Sequence, residues 1–461
     1  MGIVILGLFL MAALLCVLLL SDQIRHKKSS DHKLETVAEE VTSAAAAKDE
    51  ADGKGFENKE TGEDNAKGGK SENMIRKQEE RAFESESSEK TQKDDWITDK
   101  LASMTVEEKV SQLFMLTPEG ITGVNHVVAA GDVTKNAIDA FPIGGLIYFG
   151  SNIETPPQIS TMISKTQSYA LNRTGIPMFI AVDEEGGYVS RIAKNSNFDV
   201  AVFPYASEIG KTGDAADAYE MGDAIGAYLK SYGFNVDFAP VADVLSNSEN
   251  EVVKNRSFGS DARLVSDMVA AELEGLQSHQ IVGCVKHFPG HGATVGDTHK
   301  GYAYMEKTWE ELLTCEMVPF LDSIAKGVPM IMAGHISLPN VVGDDTPASM
   351  SYCMITEHLR YELGYDGIVI TDSLGMGAVT DTYDSKQAAV SVLKAGGDML
   401  LNPMDFKSAY EGILSEISQG GISEERIDES VYRILSVKYD LLNQSDSKSV
   451  KKDGHVRNHA G

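Results

Sequence analysis

Apolar and polar residues alternate in blocks along this chain from about Trp96 onward. Short runs that are apolar throughout recur between longer stretches with helical periodicity. Continuous apolar runs are typical of parallel strands that are buried on both faces. The predicted strands are Leu113–Leu116, Gly144–Phe149, Met178–Val182, Val236–Pro240, Gly283–His287, Met330–Ala333, Gly367–Thr371 and Asp398–Leu401. The predicted helices include Asp261–Gln280, Trp309–Ala325, Ser385–Ala395, Asp405–Gln419 and Glu424–Leu442.

This order of elements predicts an α/β fold. Strands and helices that alternate in this way over residues 96–442 are typical of a (β/α)8 TIM barrel, here forming a single catalytic domain. A doubly wound open sheet is the alternative, and the absence of a GxGxxG or P-loop pattern before any helix disfavours it. Thr105 and Glu108 form a capping-box pattern near the start of the domain.

The residues before the domain divide into two segments. Residues 2–20 are apolar throughout and just long enough to span a bilayer, and no clean cleavage site follows, which predicts an uncleaved transmembrane anchor. Residues 21–95 are polar and almost free of aromatic and β-branched side chains, which predicts a disordered spacer. Residues 443–461 are polar and predict a flexible tail.

Composition excludes some partners. The chain has 41 Lys and Arg against 69 Asp and Glu, a formal charge of −28, which makes nucleic-acid binding unfavourable. Its 4 cysteines form no CxxC pair and no zinc-ligand spacing, so we predict no disulfide framework.

Ionisable residues follow five of the predicted strands. In a barrel of this type the carboxyl ends of the strands form the active site. The residues at these ends include Asp183, Glu184, Glu185, Asp243, Arg256, Lys286, His287, His291, Asp297, His299, His335 and Asp372. Each has an ordinary structural interpretation: a strand-end Asp is often a helix N-cap, Lys286 and His287 could form a rim ion pair, and His335 could be a core histidine. Five strands that deliver such groups to one mouth favour an active site over these separate interpretations.

The chain from about Trp96 to Leu442 resembles a family 3 glycoside hydrolase of the β-N-acetylhexosaminidase type. The segments that carry the resemblance are 182–187 (VDEEGG), 255–259 (NRSFG), 286–292 (KHFPGHG), 297–299 (DTH) and 370–374 (ITDSL). The KHFPGHG run with a following Asp-x-His distinguishes this type from the β-glucosidases of the same family. Two positions differ from the pattern: Tyr188 stands where relatives often have Arg, and Ser373 where they often have a second Asp. We expect these differences to affect fine specificity.

The resemblance implies roles for particular residues. Asp372 would be the nucleophile of a retaining glycosidase, and His299, oriented by Asp297, would be its acid/base. Asp183, Arg256, Lys286 and His287 would bind the hydroxyls of N-acetylglucosamine. His291 would shape its loop. The resemblance implies no cofactor and no metal. A metallohydrolase site of His287, His291, His335 and Asp372 is a weaker alternative, because Lys286 would be a poor neighbour for a cation.

The sequence therefore predicts an exo-β-N-acetylglucosaminidase that acts on peptidoglycan-derived or chitin-like oligosaccharides, including muropeptides. A β-glucosidase-like or phosphorolytic family 3 enzyme, and a catalytically idle wall-binding protein, stay open as alternatives. The sequence does not indicate an oligomeric state.

The sequence gives two conflicting indications of where the domain lies in the cell. Arg25, Lys27 and Lys28 follow the apolar segment, and the positive-inside rule would place the domain in the cytoplasm. The spacer and a cell-wall substrate favour an extracellular domain on the cell membrane, which is our expectation.

Overall fold

The computed structural model describes residues 90–296 and 303–453, and of residues 444–453 the backbone alone. The predicted anchor, over residues 2–20, lies outside the described residues. Across the part of the chain that is described, no helix is both long and apolar enough to cross a membrane.

Eight parallel strands form the central sheet. They are β1 (Phe114–Leu116), β2 (Gly145–Ile147), β3 (Phe179–Val182), β4 (Val236–Asp237), β5 (Val282–Phe288), β6 (Met330–Ala333), β7 (Ile368–Thr371) and β8 (Leu400–Leu401). They pair in chain order, and β8 pairs with β1 in the register Phe114 to Leu400. One parallel bridge between Ile370 and Met399 joins β7 to β8, so the sheet is nearly closed. The predicted α/β class and strand order are confirmed as a barrel-like fold.

Burial explains why these segments form strands. Every residue of the eight strands is buried, as the continuous apolar runs predict. β5 is the longest strand, and its buried residues include Lys286 and His287. The register of β5 with β6 shifts between Lys286 and Phe288. The hydrogen-bond ladder is therefore irregular at the position of Lys286 and His287.

Helices connect the strands. Their bounds are 90–103, Val106–Gln112, Pro118–Thr122, Asp132–Ala140, Pro156–Thr174, Ala206–Gly210, Ala215–Tyr232, Ala262–Ser278, Trp309–Leu313, Val318–Ala325, Pro339–Val342, Gly377–Thr380, Ser385–Ala395, Phe406–Ser418 and Glu424–Asp453. Single 3₁₀ turns occur at Gly150–Asn152, His291–Ala293 and Ala348–Met350, and Cys353–Glu362 is π-helical. The capping box at Thr105 and Glu108 is present. The helix predicted over Trp309–Ala325 is two helices, because Pro319 has no N–H to donate and sits in the first turn of the second one.

The ends of the folded part differ from the predicted boundaries. Residues 90–95, assigned to the spacer, are helical. Lys93 forms an ion pair with Asp440 at 2.7 Å, and the Tyr432 hydroxyl donates to Asp94 at 2.9 Å. These contacts join residues 90–95 to the last helix. The last helix itself continues to Asp453, past the start of the tail predicted from residue 443.

Two small sheets lie beyond the carboxyl ends of the strands. Glu184–Gly186 and Val189–Ser190 form an antiparallel hairpin directly after β3. Ala303–Tyr304 pairs in parallel with Ile336–Ser337, which follows β6. These pieces give the loops at this end defined positions, and the ionisable residues predicted from the sequence lie among them.

Candidate active site

A buried cluster of opposite charges occupies the carboxyl end of the barrel. The Lys286 ammonium is 2% exposed and lies 2.9 Å from Asp183 Oδ1 and 2.6 Å from Glu185 Oε1. Arg256 donates through Nε and Nη2 to the two oxygens of Glu185, both at 2.7 Å. Two cations and two carboxylates therefore compensate one another in a place where an unpaired charge would be strongly unfavourable.

Within this cluster, the pKa values of Glu185 and Lys286 are shifted in the directions that favour their charged forms. Burial would raise the pKa of Glu185, and Arg256 and Lys286 nevertheless hold it far below its usual range. Burial would lower the pKa of Lys286, and Asp183 and Glu185 raise it above the ordinary value. The site thus presents fixed cationic donors and anionic acceptors, which suits a ligand with several hydroxyl groups.

Asp243 positions the histidine next to this cluster. It is fully buried at the end of the segment after β4, and it accepts from His287 N at 3.1 Å and from His291 N at 2.6 Å. Its second oxygen lies 2.8 Å from His287 Nδ1. Burial would raise the pKa of Asp243, and His287 holds it below its ordinary value. Because Nδ1–H of His287 donates to Asp243, Nε2 is the unprotonated nitrogen and can accept from Arg256 Nη2, 3.4 Å away.

Asp372 follows β7 directly and is partly buried. Its backbone N–H donates to Ala333 O at the end of β6, at 2.9 Å, and Ser373 N–H donates to its Oδ1 at 2.7 Å. Burial would raise the pKa of Asp372, but neighbouring groups, His287 first among them, lower it. Lys286 contributes in the same direction. The side chain is therefore a carboxylate at neutral pH, the form that a nucleophile needs.

His335 supports the loop that carries Asp372. Its Nε2 lies 3.0 Å from Ser373 O, and a carbonyl only accepts, so Nε2–H is the donor. Its Nδ1 lies 2.8 Å from the Ser349 hydroxyl and accepts from it. Burial lowers the pKa of His335, so the ring is neutral. Its partners make it the satisfied core histidine that the sequence interpretation considered, and they leave neither nitrogen for a metal.

Glu184 has a structural part in the site. Its carboxylate accepts from the backbone N–H groups of residues 191, 192 and 193 at 2.6, 3.0 and 2.9 Å, and from the Tyr228 hydroxyl at 3.0 Å. Burial raises its pKa, and these donors oppose the shift. Glu184 therefore shapes the loop after the hairpin, while its neighbours Asp183 and Glu185 point to the charge cluster.

The segment after β5 is held by close backbone contacts. A Cβ added to Gly292 would lie 1.9 Å from Val244 O, and Gly290 has φ +120°, so both positions require glycine. His291 Nδ1 lies 2.8 Å from Thr294 Oγ1. These contacts are those of a loop-shaping residue, the role expected for His291.

Asp297 and His299 lie outside the described residues. On either side of them, Val295 and Tyr304 exchange two backbone hydrogen bonds of 3.0 Å. Tyr304 belongs to the small sheet with Ile336–Ser337, next to His335. Val295 and Tyr304, which flank this segment, therefore both lie close to the strand that follows His335.

Of the predicted site residues, the structure brings together Asp183, Arg256, Lys286, His287 and Asp372. Glu185 and Asp243 were among the strand-end residues named from the sequence, but no role in the site was predicted for either. A signal was present for each: Glu185 lies inside the 182–187 segment, and Asp243 is the first ionisable residue after Pro240. Within residues 90–296 and 303–453, no group of three or more His, Cys, Asp or Glu side chains is arranged to hold a metal ion.

Comparison with known proteins gives a consistent family. The model of the glycosyl hydrolase family 3 N terminal domain matches residues 105–437. β-Hexosaminidase A of Pseudoalteromonas piscicida is 32% identical over 341 residues, which cover 68% of this chain and 56% of that protein. β-Hexosaminidase LpqI of Mycobacterium tuberculosis is 28% identical over 345 residues, which cover 73% of this chain and 84% of that protein.

Solved structures agree with the sequence relatives. The glycoside hydrolase family 3 β-N-acetylglucosaminidase from Paenibacillus sp. str. FPU-7 is 36% identical and superimposes with a TM-score of 0.70, covering 74% of this chain and 63% of that one. The chain thus spans little more than half of the Pseudoalteromonas protein and under two thirds of the Paenibacillus chain.

The contacts of Asp243 predict the effect of removing its charge. In Asp243→Asn the amide NH₂ would face one of the N–H groups that now donate to Asp243, so His287 would lose its orientation. Hydrogen bonds to a buried charge contribute about 2 kcal/mol, so we expect kcat/KM on an aryl β-GlcNAc to fall roughly 30-fold or more. Steady-state kinetics with a melting curve of each protein measure this.

Asp384→Asn is the matched control, since Asp384 is an exposed N-cap that accepts from Gln387 N at 2.7 Å. Because Asn caps a helix about as well as Asp, this variant should change neither stability nor kcat/KM appreciably. If Asp243→Asn also left kcat/KM unchanged, Asp243 would have no part in orienting His287.

Proposed function

The chain belongs to glycosyl hydrolase family 3, and on that premise we propose that it is a retaining exo-β-N-acetylglucosaminidase. It would release the terminal non-reducing N-acetylglucosamine of peptidoglycan-derived or chitin-like oligosaccharides. The observation that carries this proposal is the ionised Asp372 at the tip of β7, beside the buried cluster of Lys286, Glu185 and Arg256. The names of the relatives, β-hexosaminidases and a β-N-acetylglucosaminidase, support the choice of sugar.

The charge cluster is suited to hold the terminal sugar. Asp183 and Lys286 offer an acceptor and a donor 2.9 Å apart, and Arg256 and His287 extend the row of polar groups. Hydroxyl groups both donate and accept, so a sugar can replace water at each of these positions. Because the groups are held by one another and by Asp243, little side-chain entropy is lost when the sugar binds.

The reaction proceeds in two steps. In the first, Asp372 attacks the anomeric carbon, the glycosidic C–O bond breaks, and His299 donates a proton to the departing oxygen. In the second, water attacks the glycosyl-enzyme, His299 takes the proton from it, and Asp372 is released as a carboxylate. Asp297 would orient the His299 ring and stabilise its protonated form. The roles of His299 and Asp297 rest on the family resemblance of their segment.

Asp372→Asn tests the nucleophile. The substitution keeps the shape of the side chain and removes the attacking charge, so hydrolysis of an aryl β-GlcNAc should fall by about four orders of magnitude. In Asp372→Ala, which leaves room for an anion, added azide should restore turnover of the aryl glycoside and give the glycosyl azide of inverted configuration. Asp384→Asn again serves as the control with unchanged activity. Turnover near the wild-type rate in purified Asp372→Asn would exclude this residue as the nucleophile.

His299→Ala tests the acid/base. Substrates with poor leaving groups need protonation, so their kcat/KM should fall far more, roughly 100-fold more, than that of an activated aryl glycoside. Asp297→Ala should show the same pattern in a milder form. His279→Ala is a suitable control, because His279 pairs with Asp223 on the outer helices. Equal losses for good and poor leaving groups would show that His299 is structural.

We also propose that residues 2–20 anchor the protein in the cell membrane, with the catalytic domain extracellular on the polar spacer. The apolar run and a wall-derived substrate support this arrangement. Protease added to intact, wall-stripped cells should cut within residues 21–89 and release active enzyme. A spacer that is cut only after lysis would mean a cytoplasmic domain that acts on imported muropeptides.

A further inference from the structure

Two exposed tyrosines lie side by side at the rim of the charge cluster. Tyr188 is 48% exposed and Tyr205 is 37% exposed, and their ring centroids are 6.1 Å apart in an edge-to-face arrangement. Large aromatic side chains exposed together at the mouth of a site are seldom there for stability alone. We call this pair the rim tyrosines.

Backbone contacts fix the rim tyrosines in place. Gly187 N donates to Phe203 O at 3.2 Å, and a Cβ at Gly187 would lie 2.4 Å from the Tyr205 ring. Gly187 also has φ +54°, so glycine at this position allows both the turn and the approach of the ring. Lys194 donates to Tyr188 O at 3.1 Å, and its Nζ lies 5.8 Å from the ring centroid of Tyr188.

The rim tyrosines are continuous with the cluster that we assign to the terminal sugar. Tyr188 is in the turn of the hairpin whose first strand carries Glu185, the partner of Arg256 and Lys286. Ser207, two residues after Tyr205, donates from its backbone N–H to Asn255 O, directly before Arg256. The Tyr188 phenol is also among the groups that act electrostatically on the Arg256 guanidinium. The Tyr188 ring is therefore within electrostatic range of Arg256, and the Tyr205 ring lies against that of Tyr188.

We propose that the rim tyrosines bind a second pyranose ring of the oligosaccharide by stacking against its C–H face. A rigid aromatic ring loses little entropy when it contacts a sugar, and its hydroxyl stays free to bond to a sugar hydroxyl. The proposal rests on the proposed exo activity: if the terminal residue fills the cluster, every further ring belongs to the leaving group. The rim tyrosines thus form a leaving-group subsite that favours oligosaccharides over glycosides with a small aglycone.

Tyr188 offers an apolar face with a hydroxyl, and Tyr205 extends that face. An N-acetylated ring of either chitin-like or peptidoglycan-derived origin has the C–H face that such a surface contacts.

Kinetics on three substrates test the subsite. The substrates are chitotriose, GlcNAc-MurNAc and methyl β-GlcNAc, and the readout is the ratio of kcat/KM for each oligosaccharide to that for the methyl glycoside. Tyr188→Ala should lower this ratio roughly tenfold, mainly through KM, and Tyr188→Phe should restore most of it because the ring is kept. Tyr205→Ala should lower the ratio in the same direction. Tyr361, which is 75% exposed on the π-helical segment, gives the control Tyr361→Ala with an unchanged ratio.

The outcomes separate the subsite from the activity itself. A lower ratio with either oligosaccharide supports the subsite, and the larger loss identifies which source of leaving group it prefers. An unchanged ratio in both alanine variants, with wild-type cleavage of the methyl glycoside intact, would overturn the subsite and leave the proposed activity standing. If the wild type cleaves none of the three β-glycosides, the proposed activity fails and the subsite with it. Titration of chitotriose into Asp372→Asn, with and without Tyr188→Ala, measures the dissociation constant in the absence of turnover. Binding should be about tenfold weaker in the double variant.

Discussion

A lysine ammonium that is 2% exposed is stable in this barrel because two carboxylates lie within 2.9 Å of it. Removing either carboxylate would leave two buried cations with one carboxylate between them, which is far more unfavourable than losing a surface ion pair. The need to pair each buried charge also applies to the neighbours of Lys286. Glu185 has a second cation, Arg256, and Arg256 lies 3.4 Å from His287 Nε2. The position of each polar group at the barrel mouth therefore depends on the compensation of the Lys286 charge.

A second set of side chains holds the first in place without facing the proposed sugar. Asp243 orients His287, His335 holds the backbone at Ser373, and Glu184 binds the backbone N–H groups of residues 191–193. All three are buried and hydrogen-bonded, so they favour a single arrangement of the loops. This division explains why so many ionisable residues gather at one end of the barrel although few of them would take part in the chemistry.

The strand positions could be predicted because burial on both faces demands continuous apolar runs, and such runs are visible in the sequence. The boundaries were less accurate for local reasons. Pro319 divided a predicted helix, and residues 90–95, which their composition assigned to the spacer, are helical and contact the last helix through Lys93 and Asp440. The first effect is local and readable from the sequence, whereas the second depends on a partner 347 positions away along the chain.

The sequence by itself determined the fold class, the chain order of the strands and the strand ends at which Asp183, Lys286, His287 and Asp372 would appear, because periodicity and strand-end chemistry are local properties. It also carried the family resemblance through short segments with fixed spacing. Only the tertiary structure decided which charges pair. Glu185, and not Glu184, forms the ion pair with Lys286. Asp243, 44 positions before His287 in the chain, is the carboxylate that orients the His287 ring. Neighbouring residues of a hairpin point in different directions, and their surroundings come from distant strands, so the partner of a buried charge is a property of the packed barrel.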